Sequence, residues 1–497
     1  RAEETQDPKD DSADATPQEA DSSDANPFLV TFGPGQDPRS WSRRYRMLLV
    51  VIVSAYTLLS PMTSSMNAPA LDTLAEEFHV QSSTVKNMMM SSQVLAFAVG
   101  PILHAPLSEQ YGRRTLLQVT NILFLILNMG CGFSRTATQM IVLRFCAGLM
   151  GSAPASLGAG IVADLFEPED RGEAMAMYTL SPIMGPCIGP IFSGWIIQGY
   201  GPQHWRWIFW VSTMFGALVA AIGLFTVRET YTPVLLERKA HRYRKETGNP
   251  RWHTRFARVE SLRTRLLHGL MRPCVFLVTQ PVVVVPSVYQ ALLFGCQYIL
   301  LAEFPNVYRT YYDQPPGIAS LHYIAMLVGF LVSGQIGGRW VDVYYRKMRA
   351  RNGGVGKPEF KLPLLFITGI CTPAGLLLYG WSVQYRLKWI VPDVGIFIMA
   401  CGVRGALFVC PLYLADAVSV YAASAVSALV ISRSVFAFSF PLFSPNLYAT
   451  LGQGWGNSVL ALATALIGLP TPFILMRYGE ALRQRSSYSV RAMKLMS

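Results

Sequence analysis

Three arginines fall inside long apolar runs of this 497-residue chain, Arg144, Arg404 and Arg433, and their chemistry most constrains what the chain can do. A guanidinium stays charged at any physiological pH, so placing it in hydrocarbon is costly unless partners answer its donors. Arg144 must therefore face the interior of a helix bundle and find an acceptor. Arg404 lies twelve residues before Asp416, near the middle of its run. It is expected to meet an anionic or strongly polar substrate, with a structural ion pair to Glu303 as the competing account. Arg433 reads as a structural or gate-pairing cation. Gln290, Phe294, Gln297 and Tyr298 share one arc of a helix with about 3.6 residues per turn. That amide and aromatic stripe suits a largely apolar ligand with a few polar groups, although hydrogen bonds between helices would use the same residues. Asp164 follows Arg144 by twenty residues, and about 30 Å of helix keeps the two apart. It reads as a gate or structural acid at the cytoplasmic end, or as a solvated loop charge.

The elements that must hold these residues follow from composition. Hydrophobic side chains make up 51% of the chain and charged ones 14%, too little polar surface for a set of soluble domains, so lipid is part of the solvent. A crossing helix needs about twenty apolar residues to span about 30 Å. Twelve segments qualify or nearly do. In the first half they are Tyr45–Ser65, Thr84–Leu103, Thr115–Phe133, Gln139–Leu165, Met175–Gln198 and Trp207–Val227. In the second half they are Val275–Phe304, Ile318–Val341, Leu362–Trp381, Ile390–Leu414, Ala423–Ala449 and Ser458–Met476. The formal charge of +12 gathers in a few connections between these runs, where headgroups and membrane orientation account for it, and no basic fold with interleaved aromatics points to nucleic acid. The connection from Arg228 to Arg272, with Arg238, Lys239, Arg242, Arg244, Lys245, Arg251, Arg255 and Arg258, belongs in the cytoplasm. Counting outward from it places both termini there. The chain then divides into a disordered acidic tail and lead-in (1–44), a six-helix bundle (45–228), the basic central loop (229–272), a second six-helix bundle (273–478) and a tail (479–497). Eight scattered cysteines form no CxxC pair and read as packing residues rather than a metal site.

An internal repeat supports two halves. Ala105, Glu109, Arg113 and Arg114 after the second run recur in spacing as Gly338, Asp342, Arg346 and Lys347 after the eighth. The fourth and tenth runs end alike, on Ala163 and Asp164 and on Ala415 and Asp416. Duplication of a six-helix unit lets one half rock against the other around a central site. Glu109 is placed to pair with basic groups or to meet a helix N-terminus, latching the ends of the helices in one state. Gly185, Pro186, Gly189 and Pro190 strip side chains from one face of the fifth run and interrupt its hydrogen-bond ladder, allowing close packing and a bend.

These stretches carry a resemblance. Gly100 to Arg114 looks like motif A of the major facilitator superfamily; Arg144, Gly148 and Gly151 match its span-four motif, and Ser181 to Pro190 its span-five antiporter motif. Glu229 to Ala240, Tyr421 to Val426 and Phe440 to Phe443 are similar to the fungal twelve-span drug:proton antiporters within it. The similarity runs from about Pro27 to Arg485. It implies the major facilitator fold, an all-α membrane protein of twelve transmembrane helices in two pseudo-symmetric six-helix bundles. It also implies that Arg144 takes part in proton coupling, that Glu109, Arg113, Asp164 and Asp342 serve gating, and that the span-five glycines and prolines serve antiport. The usual first Gly and Asp of motif A are Ala105 and Glu109 here, and the family's usual apolar residue is Arg404.

The function expected is proton-coupled efflux of a small organic molecule, a secondary metabolite, toxin or drug, by a monomer in the plasma membrane or the vacuolar membrane. The proton gradient is the energy source and no cofactor is needed. No GxxxxGK[ST] loop, HExxH or nucleophile motif suggests an enzyme. A transporter of organic acids or polyamines is an alternative, Arg404 arguing against a polycation. A non-transporting nutrient sensor on the same scaffold is another, for which a long cytoplasmic signalling extension after Arg485 would be expected.

Overall fold

The structure, a computed structural model, describes residues 28–33, 35–167, 169–256, 262–418 and 421–485. The acidic stretch through Asn26, Arg258 of the basic connection and the chain beyond Arg485 lie outside the described residues. The first half contains α1 (Arg43–Ser65), a short α2 (Leu71–Glu77), α3 (Ser83–Tyr111), α4 (Arg113–Gly132), α5 (Ala137–Gly151), α6 (Ala153–Leu165), α7 (Arg171–Tyr200) and α8 (Arg206–Thr226). Helices α5 and α6 form one span. The connection holds α9 (Thr232–Thr247) and α10 (Leu262–Thr279). The second half contains α11 (Pro281–Tyr312), a short α12 (Pro316–Leu321), α13 (Tyr323–Arg351), α14 (Leu364–Gln384), α15 (Ile390–Val418), α16 (Ala422–Gly468) and α17 (Pro470–Arg485).

Eleven of the described helical stretches are long and apolar enough to cross a membrane, and the last of them, Ala422–Arg483, holds two crossings. Gly452 (φ 69°, ψ 178°) turns the chain back inside it. Tyr448 Oη donates to Asn457 Oδ1 at 3.1 Å across that turn, a contact impossible for residues nine apart on a straight helix. The returning limb runs antiparallel to α14: Gly380 abuts Asn457 while Gly369 abuts Gly468. The described residues thus make twelve crossings, as the hydropathy predicts. The seventh begins later than expected, at Pro281 rather than Val275. Gln280 is extended (φ −115°, ψ 93°) because the following proline disfavours helix there, so Val275 to Thr279 belong to α10.

The two bundles pack as a pseudo-two-fold. Helix α3, the second span, lies against the outgoing limb of α16, the eleventh, and α7, the fifth, lies against α12 and α13, the eighth. We call the end carrying α9 the basic end. The described hydrogen bonds and ion pairs joining one bundle to the other all lie toward the opposite end. They are Ser64 to Tyr298, Asn87 to Pro441, Gln198 to Gly317 and Asp72 to Arg309. The seam is thus sealed there, with a cavity of about 280 Å³ lined by Asp72, Lys86, Asn87, Glu303 and Arg309 among others. At the basic end the lead-in docks on the connection: the Val30 N–H donates to the His253 carbonyl at 2.9 Å, and Val30 packs with Leu236 and Ala240 of α9.

Candidate functional site

Arg144 is 1% exposed, and its Nη2 donates to the carbonyls of Thr63 (3.2 Å), Ser64 (2.8 Å) and Met90 (3.2 Å). Thr63 and Ser64 close the last turn of α1, where carbonyls lack helical donors and the helix dipole is negative. The acceptor demanded by the sequence is therefore backbone, not a carboxylate. Gln93 reinforces the same turn, its Nε2 donating to the Ser60 carbonyl (2.9 Å) and Thr63 Oγ1 (2.8 Å). Glycines make this reach possible. A Cβ on Gly148 would strike the Gln93 carbonyl, and one on Gly151 would strike the Ser60 hydroxyl.

Ser64 is where the two halves meet chemically. Its carbonyl takes Arg144, while its hydroxyl donates to the Pro61 carbonyl (2.7 Å) and lies 3.5 Å from Tyr298 Oη of α11. Tyr298 packs on Phe294, with ring centroids 5.3 Å apart, and the Arg433 guanidinium stands 5.2 Å over the Phe294 ring. The structure thus joins two sets of residues that the sequence kept apart, Arg144 and the α11 stripe. Gln290 is fully buried on that helix with neither amide atom partnered, and Gln297 has an unpartnered Oε1.

Arg404 turns toward α13, beside Gly334 and 6.0 Å from the Phe408 ring, and its buried Nε finds no acceptor. The competing ion pair with Glu303 is not formed. Glu303 faces α3 and α16 instead, accepting from Ser444 Oγ at 2.9 Å in the cavity at the opposite end of the seam.

The span-five residues pack α7 on α1. A Cβ on Gly185 would stand 2.8 Å from both the Met62 nitrogen and the Pro61 Cβ, and one on Gly189 would strike the Met62 carbonyl. Helix α7 nonetheless runs unbroken through its prolines. Because Pro190 has no N–H, the carbonyl four residues before it, that of Pro186, is left without a helical donor. Ser65 Oγ donates to it at 2.8 Å. The same device recurs in the second half, where Pro445 frees the Pro441 carbonyl and Asn87 Nδ2 of α3 donates to it. At α11, Pro305 frees the Leu301 carbonyl, which accepts from Tyr323 Oη at 2.5 Å. Proline spacing made the gaps legible; the donors, from other helices, were not.

A profile for the Major Facilitator Superfamily matches residues 53–441. The chain belongs to that superfamily. It is 40% identical over 93% of its length to an uncharacterized transporter of Schizosaccharomyces pombe, covering 94% of that protein. It is 39% identical to efflux pump vrtL of Penicillium aethiopicum, with 94% and 93% of the two chains covered. It is 37% identical to efflux pump radE of Floropilus chiversii, with 92% and 84% covered. Among solved structures it shares the fold of the Escherichia coli xylose transporter XylE in a partially occluded inward-open conformation. There the TM-score is 0.65 at 16% identity, over 88% of this chain and 98% of that one. Family and relatives are transporters, so this chain is a multi-pass membrane transporter rather than an enzyme.

In this major facilitator protein the basic end carries its own set of charges. Gly112 (φ 99°) separates α3 from α4, and a side chain there would collide with the Glu229 carboxylate. Glu229 uses that space to accept from the backbone N–H of Arg113 (2.8 Å) and of Arg114 (3.2 Å), meeting the positive end of α4. The helix N-terminus expected for Glu109 is thus occupied by Glu229; Glu109 itself lies half-buried on the last turn of α3. Arg113 pairs with Asp164 at 3.3 Å and stands over the Tyr231 ring. Asp342, the counterpart of Glu109 by spacing, is exposed, and its carbonyl accepts from Arg346. Glu229 could have been found: the stretch from Glu229 to Ala240 was already singled out, and an acid just after the sixth span is well placed to reach the N-terminus of a neighbouring helix.

Proposed function

We propose that this transporter exports a small organic molecule in exchange for protons, with its basic end in the cytoplasm and both termini on that side. The cargo is a secondary metabolite, toxin or drug, and the plasma membrane is the site of action. The observation that carries the reading is the contact at Ser64. Arg144, fixed to the end of α1, and the aromatic stripe of α11 meet on one residue at the seam between the bundles. A change of protonation or ligand on either side of that residue is therefore felt across the seam. The basic connection supports the orientation, and relatives described as efflux pumps support the direction. In the exchange, cargo enters from the basic end while the opposite end is sealed; the seam then opens outward, and protons entering from that side return the protein. The proton gradient supplies the energy.

Purified protein in lipid vesicles tests this. With the basic end facing out and the lumen acidified, a fluorescent aromatic cargo should accumulate, and a protonophore should abolish the accumulation. Uptake indifferent to the pH gradient would refute proton coupling while leaving transport intact.

A further inference from the structure

We infer, resting on the transport reading, that the cargo is an organic anion: an aromatic-sized body carrying a carboxylate or comparably acidic group, with Arg404 as its counter-charge.

Charge is distributed very unevenly with depth. Among the described residues, the buried carboxylates of the spans stand toward helix ends, and most are already engaged. Asp164 pairs with Arg113, Asp393 with His322, Asp416 with Lys361, and Glu359 with Arg483. Glu303 takes the Ser444 hydroxyl. Arg404 lies fourteen residues into α15 and Arg433 eleven residues into α16, both at middle depth. No described carboxylate lies within ion-pair reach of either. Arg144, by contrast, places its Nη2 on three carbonyls, though its Nε and Nη1 find none.

Cations at mid-membrane without counter-ions are costly to keep, and a ligand that brings its own negative charge removes the cost each time it binds. Helices α11 and α16, which pack on α15, carry groups that suit the rest of such a molecule. Phe294 under Arg433 and Phe408 beside Arg404 offer aromatic faces. Gln290, fully buried with both amide atoms unpartnered, offers a donor and an acceptor on the same helix as Phe294. A bare polycation would meet only repulsion from the two guanidiniums.

The test uses three probes that share a naphthalene body: naphthaleneacetate, its neutral amide and the corresponding naphthylethylamine. Binding is read from the rise in unfolding temperature of the purified full chain in nanodiscs, and exchange from counterflow in vesicles. The wild type should prefer the acetate over the amide by about tenfold, the scale of one charge-assisted contact, and bind the amine weakest. Arg404→Gln should bind acetate and amide alike. Arg404→Lys, which keeps the charge and loses the fork, should retain a reduced preference and serves if the glutamine variant does not fold. No acetate preference in the wild type, or an undiminished preference in Arg404→Gln, would overturn the anion site. Selective binding without exchange would sink the transport reading and leave the site standing, whereas equal exchange of all three probes would do the reverse.

Discussion

The two bundles fasten their basic ends by the same plan with different hands. In the first, Asp164 at the end of the fourth span takes Arg113 from the start of the third, and Glu229 beyond the sixth meets the N-terminus of α4. In the second, Asp416 at the end of the tenth span takes Lys361 from just before the ninth, and Arg483 of the twelfth takes Glu359 from that same connection. Each half thus pins its third, fourth and sixth spans together through charge. The acid on the fourth and tenth spans keeps its place, but the sign of the link to the last span is reversed. At middle depth the halves part company. Arg144 is anchored through its Nη2 to three backbone carbonyls of its own half, although its Nε and Nη1 have no partner, whereas no described carboxylate or carbonyl meets the guanidinium of Arg404 or Arg433 in the second half. Fastening is shared between the halves, and the backbone anchor of the mid-depth arginine is not.

The largest effect should come from Arg144. Its single Nη2 serves carbonyls on two helices, a geometry that a lysine ammonium reaches for one helix at best. Hydrogen bonds to charged groups contribute about 1.5–3 kcal/mol each, so Arg144→Lys should cost about 3 kcal/mol, or about 100-fold in transport rate at equal surface abundance. Arg404→Lys should cost far less with a neutral cargo, because nothing in the protein relies on its fork. Equal losses in the two variants would erase the contrast between the halves.

The paired acids at the basic end sharpen the comparison further. The Arg113 and Asp164 side chains are 14% and 20% exposed, the Lys361 and Asp416 side chains 15% and 36%. Removing a partly buried partner strands the remaining charge, so Asp164→Asn should lower stability by about 1–3 kcal/mol, while the wetter Asp416→Asn should stay under about 1 kcal/mol. Thermal unfolding of the two variants in one detergent measures the difference. If Asp416→Asn proved the more damaging, the second half would be the more tightly fastened of the two.

Much of this arrangement is legible in the sequence. Twelve apolar runs and the likeness of Asp164 to Asp416 follow from hydropathy and spacing, because lipid forces each crossing to declare itself along the chain. What stayed hidden depends on which faces meet. Ser64 and Tyr298 are 234 residues apart, and only the closing of one bundle on the other brings their hydroxyls together. The Glu303 pairing proposed for Arg404 failed for the same reason. Both charges could be placed along their helices, but not around them, and they face different neighbours.

Proline-freed carbonyls provide the finest distinction between the halves. Ser65 answers Pro186 within the first bundle, so its bond persists whichever end of the seam is open. Asn87 answers Pro441 across the seam, so its bond exists only while the opposite end is sealed. Each bond is worth about 1 kcal/mol; losing Ser65 Oγ leaves the Pro186 carbonyl without its donor, whereas the Pro441 carbonyl keeps Ser444 Oγ at 3.1 Å. Ser65→Ala should therefore lower thermal stability by about that amount and leave the balance of states alone. Asn87→Ala should weaken the sealed state alone, shifting the equilibrium about fivefold toward the open one. A cysteine at Ala68, which is buried and lines the cavity at the sealed end, reports the shift through its labelling by a membrane-impermeant maleimide, measured over the same variant with Ala68 intact. Faster labelling in Asn87→Ala but not in Ser65→Ala identifies the second bond as part of the gate. Equal labelling in both would mean that the two carbonyls are merely packed, and that the seam is held by the charges of Asp72 and Arg309 instead.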